Sequence, residues 1–236
     1  MSPPAGKGPA FKIKSRVVHA NTVVVPRSRY PIKPPKGLTA SDLRLPKFVR
    51  REDMMKLLSG TQKNNPAKLA SVHGLVTAEL AVTFPDVDKQ WQRSTGAQNR
   101  VSWRFLGGDL VLEATISVHV LDDDRPIDKD GLSQKLFAVI WEHELLHVLY
   151  DIEIVRDWLP GQVQQDEWTR RYLVDGQELP DPTFDHYIRK NNLTSWFRDG
   201  PWLGERNRRA DIRDSAANYA HVSDAINEIR AKMTNR

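Results

Sequence analysis

The feature that most constrains this chain is a long apolar stretch, from Leu132 to Asp157, that contains no Gly or Pro. Its apolar residues are not confined to one helical face. Leu136 and Ile140 share a stripe with two histidines, whereas Trp141 and Leu145 lie on other faces. A helix that is apolar nearly all round is normally buried. The pattern therefore predicts a long core helix around which the rest of the chain packs.

Two histidines in this helix, His143 and His147, form an H-E-x-x-H pattern with Glu144. Residues four apart lie on the same helical face, so both imidazoles can bind one metal ion. Zinc suits this arrangement, because a catalytic zinc site keeps three protein ligands and leaves one position open for water. The metal lowers the pKa of that water, and Glu144 lies where it can take the proton. The chain has no cysteine, so any further protein ligand must be His, Asp or Glu.

The stretch resembles the active-site helix of the zincin metallopeptidases. The two variable positions of the motif are Leu145 and Leu146, and its flanks are uncharged apart from one glutamate, as in the extended signature of that family. The resemblance implies hydrolysis of a protein or peptide substrate, with zinc as cofactor and Glu144 as general base. It also implies an α+β, zincin-like domain in which a sheet packs on the buried active-site helix.

Several residues are candidates for the third zinc ligand. Thermolysin-like gluzincins take a Glu from a second helix, and resemblance to them points to Glu167, which lies twenty residues after His147. Pro160 and Gly161 are expected to end the first helix, and Gln162–Leu173 reads as the second. Arg171 stands where the gluzincins have an Asp. The resemblance is thus to a zincin distant from thermolysin itself.

Three other residues are alternatives to Glu167. Glu153 has the spacing of the third ligand of the metzincins, but in a straight helix it points about 240° away from His147. Asp151 lies on the histidine stripe, roughly 12 Å along the axis from the first histidine, so it is expected to contact His147 or line the cleft. His186 is the last alternative. By resemblance, His186 and Tyr187 are also candidates for steadying the oxyanion in the transition state.

The clearest β pattern predicts a hairpin. Val101–Phe105 alternates, Gly107-Gly108 provides a turn, and Asp109–Leu121 alternates again. One face of the second strand is apolar, at every even position from Leu110 to Val120. Resemblance to the zincins makes this strand the candidate edge strand that pairs with an extended substrate, and an interior strand is the alternative.

Two further helices are predicted. Asn65-Pro66 is a typical helix start, and apolar residues at helical spacing continue to Leu80. Residues Arg206–Arg236 form an amphipathic pattern, which predicts a C-terminal helix packed along the domain. The acidic run Asp122–Asp124 is expected to be a solvated loop, since it lacks the spacing of a calcium-binding loop.

The first 36 residues differ from the rest of the chain. They hold eight of its 35 Lys and Arg and no acidic residue, and they are rich in proline. We therefore expect a basic N-terminal arm, residues 1–36, followed by a catalytic domain, residues 37–236. The arm could bind an acidic partner, whereas its lack of interleaved aromatic residues makes nucleic acid an unlikely one.

The second function that the sequence allows is a non-catalytic binding or assembly protein on a zincin scaffold, with the basic arm as its binding part. No apolar stretch is long enough for a transmembrane helix or typical of a signal peptide, so no membrane partner is expected. The expected location is the cytoplasm, or outside the cell after export without a signal peptide as an effector or toxin.

Overall fold

The computed structural model describes residues 10–24, 34–61, 72–127 and 131–235. Within this part the chain forms two compact units. Unit 1 comprises the described residues of Met1–Val17, Leu80–Ala114 and Glu153–Glu205. Unit 2 comprises those of Val18–Glu79, Thr115–Ile152 and Arg206–Arg236. Much of the predicted N-terminal arm and the start of the predicted helix at Asn65 lie outside the described residues.

Helices and strands are both abundant, which confirms the predicted α+β class. One sheet has four strands: β1 (Ala10–His19), β2 (Lys47–Val49), β3 (Gly74–Thr83) and β6 (Gly107–Leu121). Strand β6 pairs with each of the other three, and its pairing with β2 is parallel. It is therefore an interior strand, and the prediction that it is the edge strand for substrate is wrong.

Strand β6 carries the predicted apolar face. All six even-numbered residues from Leu110 to Val120 are buried. Ser117 and His119 on the opposite face are buried as well, so the second half of the strand is covered on both sides. This double burial agrees with an interior position in the sheet.

The second sheet contains β4 (Trp91–Thr95), β5 (Val101–Phe105) and β7 (Leu179–Pro180), all in unit 1. Strand β5 is antiparallel to β4 and to β7. The hairpin predicted between β5 and β6 is therefore wrong, because the two strands belong to different sheets. Gly107 and Gly108 have φ values of 125° and 136°, which redirect the chain instead of forming a two-residue turn.

Part of the predicted arm is a strand of the four-stranded sheet. Phe11 and Ile13 alternate with lysines in the sequence, and this alternation is what a half-buried strand requires. The strand extends over ten residues, Ala10–His19. Asn21 then continues the pairing through its side chain, which bonds the backbone N–H and C=O of Val118. The domain boundary after residue 36 stays a prediction.

The predicted core helix is α3 (Gly131–Glu153), and it is buried on most of its faces. A π-helical turn, Ile154–Trp158, joins it to α4 (Leu159–Gln165) without a break. The stop predicted at Pro160-Gly161 is wrong, because the proline occupies the first turn of α4. In that turn the missing N–H of proline costs little.

The helix predicted from Asn65 through Leu80 is wrong over its described part, which is strand β3 from Gly74. Val76, Leu80 and Val82 are buried at a spacing of two and four residues, which fits a strand. The β-branched residues of this segment favour a strand over a helix.

Seven other α-helices occur in the described part of the chain. The predicted C-terminal helix is two of them, separated by Asp214 and Ser215. Three further π-helical turns are Arg170–Val174, Asp185–Arg189 and Arg198–Trp202. Among the described residues no helix is both long and apolar enough to cross a bilayer. The other helices are α1 (Arg51–Thr61), α2 (Val87–Gln90), α5 (Glu167–Thr169), α6 (Asp181–Phe184), α7 (Asn192–Phe197), α8 (Leu203–Arg213) and α9 (Ala216–Thr234).

Candidate metal centre

His143, His147 and Asp214 bring three potential ligand atoms together in unit 2. The Nε2 atoms of the two histidines are 3.3 Å apart. The Oδ1 atom of Asp214 is 3.2 Å from Nε2 of His147 and 3.3 Å from Nε2 of His143. The histidines lie one turn apart on α3, and Asp214 lies in the turn between α8 and α9. Among the described residues this is the group of His and acidic side chains that could hold a metal ion.

The geometry of this group fits a tetrahedral zinc ion. Ligand atoms at 2.0–2.1 Å from such an ion would lie about 3.3–3.5 Å from one another. The three separations in the group are 3.2, 3.3 and 3.3 Å. Two imidazole nitrogens and one carboxylate oxygen are also a typical donor set for a catalytic zinc ion, which keeps a fourth position open.

The protonation of the group supports the same conclusion. Burial acts to lower the pKa of His147, but its hydrogen bond with Asp214 and the charges of Glu144, Asp214 and Asp151 outweigh it and raise that pKa, so these groups together favour a positive charge at the site. Burial acts to raise the pKa of Asp214, but hydrogen bonds with His143 and His147 outweigh it and hold that pKa well below its usual range. Asp214 is therefore a carboxylate, the form that binds metal ions.

Glu144 lies beside this group with its carboxyl group against strand β3. It is only 6% exposed. A Cβ atom added to Gly74 would lie 2.6 Å from both Cγ and Oε1 of Glu144, so only glycine leaves room for this side chain. Burial raises the pKa of Glu144, the charges of His147 and His143 oppose that shift, and Asp214 adds to it. The carboxylate is thus more basic than an exposed one.

Tyr219 adds a hydroxyl group to the site from helix α9. Its ring packs edge-on against the ring of His143, with centroids 5.1 Å apart. Burial raises the pKa of Tyr219, and the charges of Glu144 and Asp214 raise it further. Its hydroxyl group therefore remains protonated at neutral pH and can donate a hydrogen bond.

Asp151 is buried two turns after His143, and its contact differs from the predicted one. Its Oδ1 atom accepts a hydrogen bond of 2.8 Å from Nε of Arg206, on α8. The Nη2 atom of the same guanidinium donates to the carbonyl oxygen of Val76, on β3, at 2.7 Å. Asp151 does line the cavity at the site, as one of the predicted alternatives stated.

A cavity of about 190 Å³ adjoins the ligand group within unit 2. One wall is polar and contains the ligand group, Glu144 and Asp151. The apolar part of the cavity's lining, here called the apolar wall, comes from α1, β3, α8 and the segment before β3. The apolar side chains in the lining are Leu58, Val72, Leu75, Val76 and Ala210.

The other predicted site residues lie in unit 1 and are not members of the ligand group. Glu167 is the first residue of α5 and lines a polar cavity with Arg170 and Arg171. Asp214, and not Glu167, is the acidic member of the group that could hold a metal ion. The helical run continues through Pro160 and ends at Gln165, so the break comes at Asp166, directly before Glu167, and not at Pro160-Gly161. Glu153 is the last residue of α3 and is likewise not in the group.

His186 and Tyr187, the predicted transition-state stabilisers, also belong to unit 1. They line an open cavity of about 700 Å³ together with Trp196. Tyr219 is the tyrosine that contacts a histidine of the ligand group. The aromatic richness of this downstream segment therefore did not point to the tyrosine that lies against His143.

Sequence reasoning missed Asp214, Tyr219 and Arg206, because it treated residues 206–236 as one amphipathic helix. One local signal was present. Ser215 directly follows Asp214 and precedes two alanines, and serine is a favoured residue at a helix start. A helix boundary there would have shown that Asp214 is in a turn. Its closeness to the histidines, 67 residues after His147, has no local signature.

No protein-family model, curated protein or solved structure matches this chain. The chemistry of the site must therefore be argued from its own residues.

Proposed function

We propose that this protein is a zinc-dependent metallopeptidase. The observation that carries the proposal is the position of Asp214 Oδ1, 3.2–3.3 Å from the Nε2 atoms of both histidines of the H-E-x-x-H motif. A third protein ligand is what a catalytic zinc site needs in addition to that motif. His143, His147 and Asp214 would hold the ion.

A zinc ion bound there lowers the pKa of water and polarises the carbonyl group of a peptide bond. Glu144 is the general base, which takes a proton from the attacking water and later delivers it to the leaving amine. The pKa of Glu144 is raised in the metal-free protein, and because the charge of a bound zinc ion would lower it, the shift helps Glu144 to stay basic enough to take the proton. Burial of the Glu144 carboxyl group is the largest cause of that shift.

Tyr219 is proposed to donate a hydrogen bond to the oxyanion that forms at the scissile carbonyl. Its raised pKa keeps the hydroxyl proton in place, and its ring is held against His143. A donor that is already oriented stabilises the charge as it develops, without reorganisation.

The edge of β3 is the proposed docking site for the substrate backbone, in place of β6. Among the described strands, β3 pairs with β6 alone. The carbonyl of His73 faces β6, where it accepts from Leu121, whereas the carbonyl of Val76 faces the opposite way, towards Arg206. Since peptide groups alternate along a strand, those of Gly74 and Ala78 also face away from β6. An extended peptide could pair with this edge directly beside Glu144.

The apolar wall of the cavity favours a substrate with an apolar side chain near the scissile bond. A side chain placed against Leu75 and Ala210 would remove apolar surface from water. A cavity of about 190 Å³ has room for a single side chain.

The proposal is tested by metal analysis together with cleavage of a disordered protein. The full chain is purified without added zinc, its metal content is measured, and it is incubated with β-casein before and after treatment with a chelator. We expect about one zinc ion per chain, cleavage of β-casein, loss of cleavage with the chelator and recovery on addition of zinc. Absence of both bound metal and cleavage would contradict the proposal and favour the non-catalytic binding function.

A further inference from the structure

Helix α8 supplies the turn that carries Asp214, yet none of its side chains is buried. Four of its eleven residues are arginines, at positions 206, 208, 209 and 213. Most helices in proteins are stabilised by packing an apolar face. Helix α8 has little of that stabilisation, so its position must depend on specific contacts.

Arg206 makes such contacts with two other elements of unit 2. Its Nε atom donates to Asp151 on α3 at 2.8 Å, and its Nη2 atom donates to the carbonyl oxygen of Val76 on β3 at 2.7 Å. The side chains of Arg206 and Asp151 are only 17% and 2% exposed. A partly buried guanidinium that bonds two partners at fixed angles orients the backbone that carries it.

We propose that Arg206 is a positioning residue that seats α8 and thereby holds Asp214 against the two histidines. Asp151 then acts on the metal centre through Arg206, across the α3–α8 contact, and not through His147. The bond to Val76 also fixes the edge of β3 relative to the third ligand. The inference rests on the proposed function insofar as Asp214 is a zinc ligand.

A double-mutant cycle on zinc affinity tests the proposal. The zinc dissociation constants of Arg206→Ala, Asp151→Asn and the double variant are compared with that of the unchanged protein. We expect each single change to weaken zinc binding about 10- to 100-fold, the usual effect of removing a residue that orients a ligand. The double variant should lose little more than either single variant, because both changes remove the same contact.

Two further variants separate positioning from general stability. Arg208→Ala removes an exposed arginine from the same helix and should leave the dissociation constant within about twofold. The pair Asp151→Leu with Arg206→Met replaces both charges by apolar side chains, so it leaves no buried charge unpaired and should fold. It should nevertheless bind zinc weakly, because the contacts of Arg206 that seat α8 are gone. Zinc affinity equal to that of the unchanged protein in this pair would overturn the proposal.

Amide hydrogen exchange of the metal-free protein gives a readout that does not depend on zinc. Arg206→Ala should speed exchange in residues 203–213, and Arg208→Ala should not. Unchanged exchange in Arg206→Ala would overturn the positioning role even if zinc binds. If the unchanged protein binds no zinc, the proposed function fails, and the exchange result alone still decides whether Arg206 seats the helix.

Discussion

Helices α3 and α8 both help to build the proposed metal centre, but they are held in opposite ways. Twelve residues of α3 are buried, among them His143 and Glu144. Helix α8 buries none of its side chains and is fixed through Arg206 at one end and Asp214 at the other. Two of the proposed ligands therefore lie on a helix placed by hydrophobic packing, and the third lies in the turn directly after a helix placed by polar contacts.

The position of the two histidines should therefore be insensitive to single substitutions, whereas the position of Asp214 should be sensitive to them. Packing of α3 depends on many side chains, so no single polar contact determines where its histidines lie. Placement of Asp214 depends on a few charged groups, so single substitutions should change metal affinity without unfolding unit 2.

Glu144→Gln tests the contribution of α3 to the chemistry. The variant should keep zinc and lose turnover by about 10²- to 10⁴-fold, because the amide cannot accept the proton. Cleavage of β-casein and zinc content are measured side by side. Glu142→Gln, two residues earlier on the same helix, is the matched control and should cleave normally. Full activity of Glu144→Gln would contradict the role of general base.

Asp214→Ala tests the contribution of the C-terminal helices to metal binding. Zinc affinity should fall by more than about 100-fold, since loss of a residue that merely orients a ligand already costs 10- to 100-fold. Equilibrium competition with a chromophoric chelator measures it. Asp211→Ala, on the same helix, and Glu167→Ala, the ligand predicted from the sequence, should change affinity little. Stronger weakening by Glu167→Ala than by Asp214→Ala would reverse the assignment.

Tyr219→Phe should lower kcat by about 100-fold, at the low end of what loss of one oxyanion donor costs, with little change in KM or zinc content. The physical reason is that the hydroxyl group acts on charge that exists only in the transition state. Steady-state kinetics on an internally quenched peptide separate the two constants. Tyr187→Phe is the control, and an equal loss in that variant would remove the distinction between the two tyrosines.

Arg230→Ala addresses the far end of α9, where the effect should be on stability. Arg230 Nη2 donates to Asp124 Oδ1 at 2.7 Å, and His73 Nδ1 lies 2.8 Å from Oδ2 of the same buried carboxylate. The free energy of unfolding at pH 7 should fall by about 2 kcal/mol. That is less than the usual cost of breaking a buried pair, because Arg230 is half exposed and His73 remains. Urea unfolding measures the change, and Lys232→Ala on the same helix is the control.

The pH dependence of that loss has a definite sign. Burial acts to raise the pKa of Asp124, but the hydrogen bonds with His73 and Arg230 outweigh it and lower that pKa. A lowered carboxyl pKa gives stability that is present above the ordinary value near 3.8 and is lost as the pH falls through the folded value. The difference between Arg230→Ala and the unchanged protein should therefore shrink as the pH falls below about 4. A constant difference down to pH 2 would contradict this origin.

How much of the fold and of the site the sequence could predict depends on whether the residues that define a feature are close together along the chain. The core helix, its two histidines and Glu144 follow from local spacing, because the residues that define them are neighbours along one helix. The buried face of β6 follows from alternation for the same reason. The partners of β6, the third ligand and the tyrosine at the site depend on contacts between distant segments, and spacing does not encode those. Resemblance to the zincins suggested Glu167 as the third ligand and Tyr187 as the tyrosine at the site. Glu167 is not a member of the group formed by the two histidines and Asp214, and the tyrosine that contacts His143 is Tyr219.

The close approach of Gly74 to Glu144 has one more consequence. A single methyl group at position 74 would occupy the space that the carboxyl group of Glu144 now fills, 2.6 Å from the glycine's would-be Cβ. Gly74→Ala would therefore displace the general base while removing no functional group and leaving the side chains of the three proposed ligands unchanged. An unreactive protein of this kind, with its metal centre and its Glu144 carboxylate both chemically intact, would be a suitable bait for recovering the substrate before it is cut.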